Sequence, residues 1–473
     1  MTPRAPDKAP GRLNAPGRLN AVSQRVRRTR SELPTSLAML RTSETAKAGG
    51  LAVAMIANNV LAFCSTFVFA RLLSDYGALA ALVSYFLILS VAGQALQVAT
   101  AREGVLGHLG VGAGLVATLK RWTRTMVIFT AALTVISILL RDPIAQAVGV
   151  KKDQWAAAIG LPAGCLWLEL SILRGALQGI GDYKSVGLSL IGEQATRLVL
   201  GAALAAVGLG VTGAYLGTPL SFIAMGVYCA VQLRRYVAAS ETARASAAPA
   251  QDAAGTPSAA TIELWTHVKR AWAPIAGLIV IAVLQNIDII AAKHRFSTNV
   301  ASSYGATAVA AKVVIWVAIG AGFYLVPEVS RRRAAGQDTR PVLARALAII
   351  VVCAVPVLLI FAFGATPLLR LAFGSKRTSA AASLLPLGAA FTVLAATYLA
   401  IQYMLALKRT WFLIVVGVVA AAEPVLLLQA SRKPAGFAAV VLVIQAIGAL
   451  LAFALALRRD SAPPQAAVSP EPA

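Results

Sequence analysis

Long apolar runs separated by short polar segments occupy the sequence from residue 48 to residue 457. About 20 apolar residues are needed for an α-helix to cross a hydrocarbon core roughly 30 Å thick, at about 1.5 Å of rise per residue. Twelve such runs occur, at 48–70, 78–98, 123–140, 155–173, 185–206, 211–233, 271–292, 304–327, 342–364, 380–404, 411–429 and 435–457. The pattern predicts an all-α integral membrane protein with about twelve transmembrane helices.

Composition and motifs exclude several other classes. Hydrophobic residues make up 58% of the chain and charged residues 13%, about half the charged fraction of a soluble domain. No Walker A or HExxH motif occurs, and "GLGVTG" at 208–213 lies in a short turn between two spans rather than between a strand and a helix. We therefore predict that the protein is not an enzyme and uses no cofactor and no metal.

The formal net charge of +24 reflects helix orientation rather than nucleic-acid binding. Lys and Arg cluster at the ends of the apolar runs and do not alternate with aromatic residues in basic patches. With the N-terminus inside the cell, the inner segments hold 30 of these residues and the outer loops hold 11. This asymmetry predicts that both termini of the multi-pass protein lie in the cytoplasm, and we expect the membrane to be the plasma membrane.

Two halves of equal length are predicted, at 48–233 and 271–457, with six spans each. They are flanked by a basic tail at 1–47 and a C-terminal tail at 458–473, both predicted to be disordered, and joined by a low-complexity cytoplasmic linker at 234–270. A repeated motif supports internal duplication, because "YGA" occurs at 76–78 and again at 304–306. An even number of spans per half predicts a pseudo-twofold axis along the membrane normal, with a cleft between the halves.

A few ionisable residues lie inside the predicted spans, where each costs about 2.5–3.5 kcal/mol at a helix centre. Such residues usually face a protein interior or a wet cavity. Glu193 and Arg197 are four residues apart and share a helix face. Asp288 and Lys312 are on adjacent antiparallel spans, close enough for the lysine stem to bridge their difference in depth. The alternative to a substrate-facing role is that each pair is only an ion pair that holds neighbouring helices together. For Glu423, which precedes Pro424, the alternative is a site where a kinked helix packs.

Several stretches resemble polysaccharide flippases of the multidrug, oligosaccharidyl-lipid and polysaccharide exporter superfamily. They occur in the family's order and span most of 48–457: "FARLLSDYGALAALVSYF" (69–86), "LRGALQGIGDYKSVGLSLIGEQATRLVLG" (173–201), "LQNIDIIAAKHRFSTNVASSYGATAVAAKVV" (284–314), "FYLVPEVSRRR" (323–333) and "IQYMLALKR" (401–409). The basic tail and the 234–260 segment are not signatures of this family.

This resemblance implies two six-helix bundles around a central cavity and the outward movement of a polyprenyl-linked glycan by alternating access. It also implies contact with membrane lipids and, as further partners, a glycan polymerase or glycosyltransferases. By motif position, the substrate or cavity candidates are Arg71, Arg174, Glu193, Arg197, Asp288 and Lys312.

Two other functions stay open at this point. The first is an ion-coupled multidrug or metabolite antiporter of the same superfamily, and the second is a non-transporting membrane scaffold for glycan-assembly enzymes. Charges within the spans favour transport over scaffolding, because a scaffold has no need of them.

Overall fold

The structure is a computed structural model that describes residues 44–110, 112–247, 266, 269 and 272–458. Within those residues the chain is helical and contains no strand. The α-helices discussed below are α1 (Glu44–Leu72), α2 (Tyr76–Val105), α3 (Ala113–Leu139), α4 (Arg141–Val148), α5 (Gln154–Gly179), α6 (Tyr183–Leu204), α7 (Gly210–Ala247), α8 (Trp272–Arg295), α9 (Thr298–Ala311), α10 (Val313–Ala334), α11 (Arg340–Phe373), α12 (Leu384–Ala406), α13 (Phe412–Gln429) and α14 (Pro434–Ala456).

Eleven segments of the described residues are long and apolar enough to cross a membrane. One of them, Tyr183–Ala239, has 57 residues, far more than one crossing needs. The chain reverses inside it at Gly208 and Gly210, whose φ angles of 102° and 51° suit a residue without a Cβ. Helices α6 and α7 therefore pack side by side as two crossings, and the prediction of about twelve transmembrane helices is confirmed.

Helices α9 and α10 form a single bent crossing, Thr298–Ala334. Residue Lys312 separates them, with ψ near −4° instead of the usual helical value. The bend places the lysine side chain at the junction of two helical segments, inside the membrane-spanning region.

Several helices extend beyond their apolar runs. The third and fourth crossings are predicted at 123–140 and 155–173, but α3 has 27 residues and α5 has 26. Likewise α7 continues to Ala247, fourteen residues beyond the predicted end of the first half at 233. Hydropathy marks only the apolar part of a helix, whereas backbone hydrogen bonding continues through polar flanking residues. Apart from 44–47 and Arg458, the predicted tails lie outside the described residues, as does 248–265 of the predicted linker.

The two halves repeat the same packing pattern. In the first half, α1 packs on α6, α2 on α5, α3 on α5, and α7 on both α5 and α6. In the second half, α8 packs on α13, α10 on α12, α11 on α12, and α14 on both α12 and α13. Each contact in one half thus has its counterpart in the other, which supports two pseudo-symmetric six-helix bundles.

The halves meet mainly where α2 packs against α8 and α9. A smaller contact joins the C-terminal ends of α1 and α11. The distribution of Lys and Arg predicts that the start of α2 and the ends of α1, α8 and α11 lie on the outer side of the membrane. We call this end of the molecule the outer end.

Candidate functional site

A buried triad of charged residues joins α5 to α6 in the first half. Arg174 on α5 places Nη1 2.9 Å from Glu193 Oε2 on α6, and Arg197 Nη2 lies 2.6 Å from Glu193 Oε1. Arg174 also donates from Nε to Ser189 Oγ (2.8 Å) and from Nη2 to the Ser189 carbonyl (2.9 Å). The triad combines two guanidinium groups with one carboxylate, so that one positive charge is left without a carboxylate partner inside it.

The burial of Arg174 corrects the expectation that this residue lies just beyond the end of a span. Helix α5 continues to Gly179, and the Arg174 side chain is 0% exposed. Its guanidinium carbon lies 5.6 Å from the ring centroid of Trp167, and that of Arg197 lies 5.4 Å from the Phe222 ring. Aromatic faces at this distance stabilise a desolvated cation. Arg197 remains 20% exposed and is the member of the triad that an external group can reach.

A second buried group joins α8 to the α9–α10 junction. Lys312 Nζ lies 4.0 Å from Asp288 Oδ1 and donates to Asn286 Oδ1 over 3.1 Å. The Tyr304 hydroxyl donates to Asp288 Oδ2 over 3.2 Å. The Lys312 ammonium also lies 5.3 Å from the centroid of the Phe391 ring. Asp288 and Tyr304 are fully buried and Lys312 is nearly so. Tyr304 satisfies Asp288 Oδ2 and Asn286 accepts from Lys312, whereas Asp288 Oδ1 accepts no hydrogen bond from the described residues.

Glu423 adds a second carboxyl group to this part of the protein. It is 0% exposed on α13, and Gln445 of α14 donates to its two oxygens at 3.2 and 3.4 Å. The same Gln445 amide donates to the carbonyl of Leu284 on α8 (2.9 Å). Lys312 interacts electrostatically with both Asp288 and Glu423. The second half therefore buries two carboxyl groups around one ammonium group, which is the opposite balance to the triad of the first half.

The outer end carries an ion pair between the halves. Lys293, at the end of α8, places Nζ 2.7 Å from both Asp75 oxygens. Asp75 also caps α2, where Oδ1 accepts a hydrogen bond from the backbone N–H of Ala78. The side chains of Lys293 and Asp75 are 9% and 26% exposed. The start of α2 and the end of α8 are thereby held together across the interface.

Two arginines cap helix ends reciprocally beside this pair. Arg71, in the last turn of α1, donates from Nη2 to the Leu371 carbonyl of α11 over 2.7 Å. Arg377, just after α11, donates to the carbonyls of Ala70, Leu73 and Ser74 at the end of α1. The last carbonyls of a helix lack partners within it, and a cation there is favoured by the helix dipole. We call Asp75, Lys293, Arg71 and Arg377 the outer latch.

Small residues allow α2 and α9 to pack closely under the latch. The Gly77 N–H donates to Ser302 Oγ over 2.9 Å. A Cβ at Gly77 would lie 2.9 Å from the Ser302 backbone nitrogen, and one at Gly305 would lie 3.0 Å from the Ala80 Cβ. The repeated "YGA" motifs recognised in the sequence thus lie against the same interface, one from each half.

Exposed polar side chains occur within the membrane-spanning helices farther from the latch. Asn59 lies thirteen residues before the end of α1, and Gln94 lies eighteen residues after the start of α2. Both side chains are exposed. Because polar side chains are costly to expose to lipid, these two amides favour a water-accessible space on the side away from the latch.

The structure divides the six candidates from the sequence into three places. Arg174, Glu193 and Arg197 form the triad, Asp288 contacts Lys312, and Arg71 lies at the outer end, exposed, with no described contact to either buried group. Sequence reasoning did not identify Asp75, Arg377 or Lys293, and the last of these directly follows the predicted span 271–292. A signal existed for Lys293, because "FVFAR" (67–71) and "IIAAK" (289–293), which precede the two "YGA" motifs, align Lys293 with Arg71. Arg377 binds carbonyl oxygens, for which the sequence has no marker.

Solved structures with the same fold are membrane transporters. The chain is similar to an inward-facing multidrug resistance MATE family transporter of the MOP superfamily, with TM-score 0.66, 12% identity, and coverage of 87% of this chain and 97% of that one. It is also similar to the lipid II flippase MurJ in an inward closed conformation, with TM-score 0.63, 15% identity, and coverage of 86% and 87%. A third is the MATE transporter ClbM in complex with Rb⁺, with TM-score 0.52, 14% identity, and coverage of 88% and 94%.

No protein-family model matches the sequence, and no curated protein matches it. At these identities the likeness establishes the fold.

Proposed function

We propose that this protein is a transporter that moves a polyprenyl-linked oligosaccharide or polysaccharide precursor from the inner to the outer leaflet. The observation that carries the proposal is the triad, with its unbalanced positive charge and the 20% exposure of Arg197. A buried excess of guanidinium suits an anionic group, because guanidinium binds phosphate oxygens through two parallel hydrogen bonds. The pyrophosphate or an acidic sugar of such a lipid supplies that group.

Alternating access between the halves is the movement that fits this role. The halves are latched at the predicted outer end, and exposed amides lie on α1 and α2 away from it. This arrangement corresponds to a state open towards the cytoplasm. The likeness to an inward-facing MATE transporter and to an inward closed MurJ supports the same state. Release to the outer leaflet then requires the outer latch to open.

A reconstituted flipping assay tests the proposal. Proteoliposomes carry a fluorescent polyprenyl-pyrophosphate oligosaccharide, and a membrane-impermeant quencher reports its transfer between leaflets. We expect Arg197→Gln to slow transfer about tenfold or more, because a charge-assisted hydrogen bond contributes about 1.5–3 kcal/mol. Arg197→Lys retains the charge and keeps part of the rate.

The matched control for this assay is Lys184→Gln, which removes an exposed charge from the start of the same helix and is expected to flip at the normal rate. Absence of transfer by the wild-type protein would refute the flippase proposal. Equal flipping rates for wild type and Arg197→Gln would show that the triad does not contribute to flipping.

An ion-coupled antiporter is the second candidate function. It is favoured by the two carboxyl groups, Asp288 and Glu423, that share one ammonium group of Lys312. A proton or a cation on one carboxyl would balance the charge there, and such an exchange can couple an ion gradient to movement. Efflux of a fluorescent cationic drug from proteoliposomes, driven by an imposed proton or sodium gradient, discriminates between the two functions. Drug efflux without glycan-lipid flipping would establish the antiporter.

The proposed location is the plasma membrane, and the Lys and Arg asymmetry supports a cytoplasmic position of both termini. Glycan polymerases or glycosyltransferases are proposed as neighbours because they make and use the same lipid-linked glycan.

A further inference from the structure

An open cleft of about 510 Å³ lies where the ends of α1 and α11 come together. It is lined by Arg71 of α1 and by Thr366, Pro367, Arg370 and Leu371 of α11. The cleft thus brings one guanidinium group from each half of the protein to a single surface depression. None of the residues of the triad or of the Asp288 group lines it.

The reciprocal caps hold Arg71 in this position. Arg71 is fixed by its hydrogen bond to the Leu371 carbonyl, and Arg377 binds the end of α1 from the other side. The edge-to-face contact of Phe67 with Phe373, with ring centroids 5.2 Å apart, adds an apolar contact between the same two helices. The position of Arg71 at the edge of α11 is therefore set by the fold and does not depend on a ligand.

No carboxylate among the described residues balances the charge of the cleft. Among the described residues, neither Arg71 nor Arg370 forms an ion pair with a carboxylate, and no acidic residue lines the cleft. Two guanidinium groups at one site repel each other, and an anion between them removes that repulsion while accepting their hydrogen bonds. Phosphate oxygens match the planar donor geometry of guanidinium particularly well.

An apolar stripe on α11 identifies the rest of the ligand. Val352, Val355, Leu359 and Phe363 are 71%, 50%, 54% and 87% exposed, and their spacing of three to four residues places them on one helix face. The helix bends at Gly364, where φ and ψ are −119° and 15°, and beyond the bend Thr366 and Arg370 line the cleft. A ligand that fits both features has a phosphate at one end and a long apolar chain at the other.

We propose that the cleft between α1 and α11 binds the phosphate of an anionic membrane lipid, with the lipid chains lying along the exposed stripe of α11. The site is separate from the central triad, and the proposal holds whichever substrate the triad accepts. Because the cleft is built from both halves and adjoins the outer latch, a lipid bound there stabilises the latched state.

Binding to the purified full-length protein in detergent tests the proposal. We expect phosphatidylglycerol to raise the melting temperature in a saturable manner, and phosphatidylcholine with the same chains to have little effect. Arg370→Gln is expected to weaken the apparent affinity for phosphatidylglycerol about tenfold, the usual effect of losing one charge-assisted hydrogen bond. The double change Arg71→Gln and Arg370→Gln is expected to abolish the saturable shift.

Two controls keep the result interpretable. Arg432→Gln removes an exposed arginine from the turn between α13 and α14 and is expected to leave lipid binding unchanged. Arg370 is exposed and its side chain forms no hydrogen bond with the described residues, so that Arg370→Gln should melt normally without lipid. Equal affinities of wild type and Arg370→Gln, or equal shifts with the two phospholipids, would overturn the proposal.

Competition identifies the source of the phosphate. If a polyprenyl pyrophosphate displaces phosphatidylglycerol at equal or lower concentration, and Arg370→Gln weakens that displacement, the cleft receives the transported lipid. If the polyprenyl pyrophosphate does not displace phosphatidylglycerol, the cleft holds a bilayer phospholipid. Both results retain the phosphate site.

Discussion

Lys293 Nζ lies 2.7 Å from both carboxylate oxygens of Asp75, so that the end of one helix in the second half is joined to the cap of a helix in the first. The two residues are separated by 218 positions in the sequence. Their ion pair, together with the reciprocal caps of Arg71 and Arg377, closes the molecule at the predicted outer end. The proposed alternating access requires these contacts to break and re-form in every cycle.

The first prediction concerns this ion pair. Lys293→Gln should increase the population that is open at the outer end about tenfold or more, because a charged hydrogen bond contributes about 1.5–3 kcal/mol. The measurement is the labelling rate of Ala301→Cys, a position 3% exposed on α9, by a membrane-impermeant maleimide added outside. The four native cysteines are first replaced by serine.

For this prediction, Lys376→Gln removes a nearby exposed charge and serves as the control that should label slowly. The double change Asp75→Lys and Lys293→Asp should restore slow labelling. If Lys293→Gln labels no faster than wild type, the pair does not hold the outer end closed.

The second prediction concerns the close contact of α2 with α9. Gly77→Ala places a methyl group 2.9 Å from the Ser302 backbone nitrogen, and backbone atoms cannot move aside as a flexible side chain can. We expect a loss of about 1–3 kcal/mol from the latched state, seen as a lower melting temperature and faster labelling at residue 301. Gly226→Ala on α7 meets nothing within 4 Å and should be neutral or slightly stabilising. Equal behaviour of the two variants would contradict the packing argument.

The third prediction is a pH dependence at the outer end. Asp153 precedes α5 and is half-buried; burial raises its pKa above the ordinary value of 3.8, the nearby carboxylate of Asp75 raises it further, and Lys293 and Lys152 oppose the rise. A raised pKa in the folded state means that the folded state favours the protonated form. Its contribution to stability is complete below pH 3.8 and is lost as the pH rises through the raised pKa.

Asp153→Asn stays neutral at every pH. Its melting temperature relative to wild type should therefore increase as the pH rises from about 4 to about 7. If the melting temperature of Asp153→Asn minus that of wild type stays constant or falls as the pH rises, ionisation of the Asp153 carboxyl does not destabilise the folded state.

The fourth prediction concerns Asp288 and Lys312. Removing one partner of a buried pair costs up to about 3–5 kcal/mol, because it leaves the other charge unpaired. Asp288→Asn should impair transport, and the charge swap Asp288→Lys with Lys312→Asp separates two explanations. Restored abundance with restored transport would assign the pair to helix packing, and restored abundance without transport would assign it to substrate or ion handling.

Tyr304→Phe is the matched control for this pair, because it removes only the hydroxyl that donates to Asp288 and keeps both charges. It should cost about 1 kcal/mol and transport normally. Normal abundance and transport in Asp288→Ala would show that neither explanation holds.

The fifth prediction concerns topology. Single cysteines at Ser246 and Ser461 should resist impermeant reagents added to intact cells, since both positions are predicted to be cytoplasmic. A cysteine at Ser297, which is exposed in the turn between α8 and α9, should react. Labelling of residue 246 from outside would reverse the assigned orientation.

The sequence alone was sufficient to predict the class of fold, the twelve crossings and the division into two similar halves. Crossing a bilayer is a requirement on local hydropathy and length, and both can be read along the chain. The pairing of Glu193 with Arg197 was also predictable from local sequence, because a spacing of four residues places two side chains on the same helix face.

Tertiary structure decided which other charges meet. Arg174 is buried because α5 continues beyond its apolar run and because Ser189 and Glu193 of α6 lie within hydrogen-bonding distance. The Asp75–Lys293 pair and the caps formed by Arg71 and Arg377 depend on how the two halves dock, and the caps bind main-chain carbonyls that every residue possesses. Hydropathy and spacing constrain one helix at a time, whereas the relative position of two bundles is set by packing between residues that can be 300 positions apart.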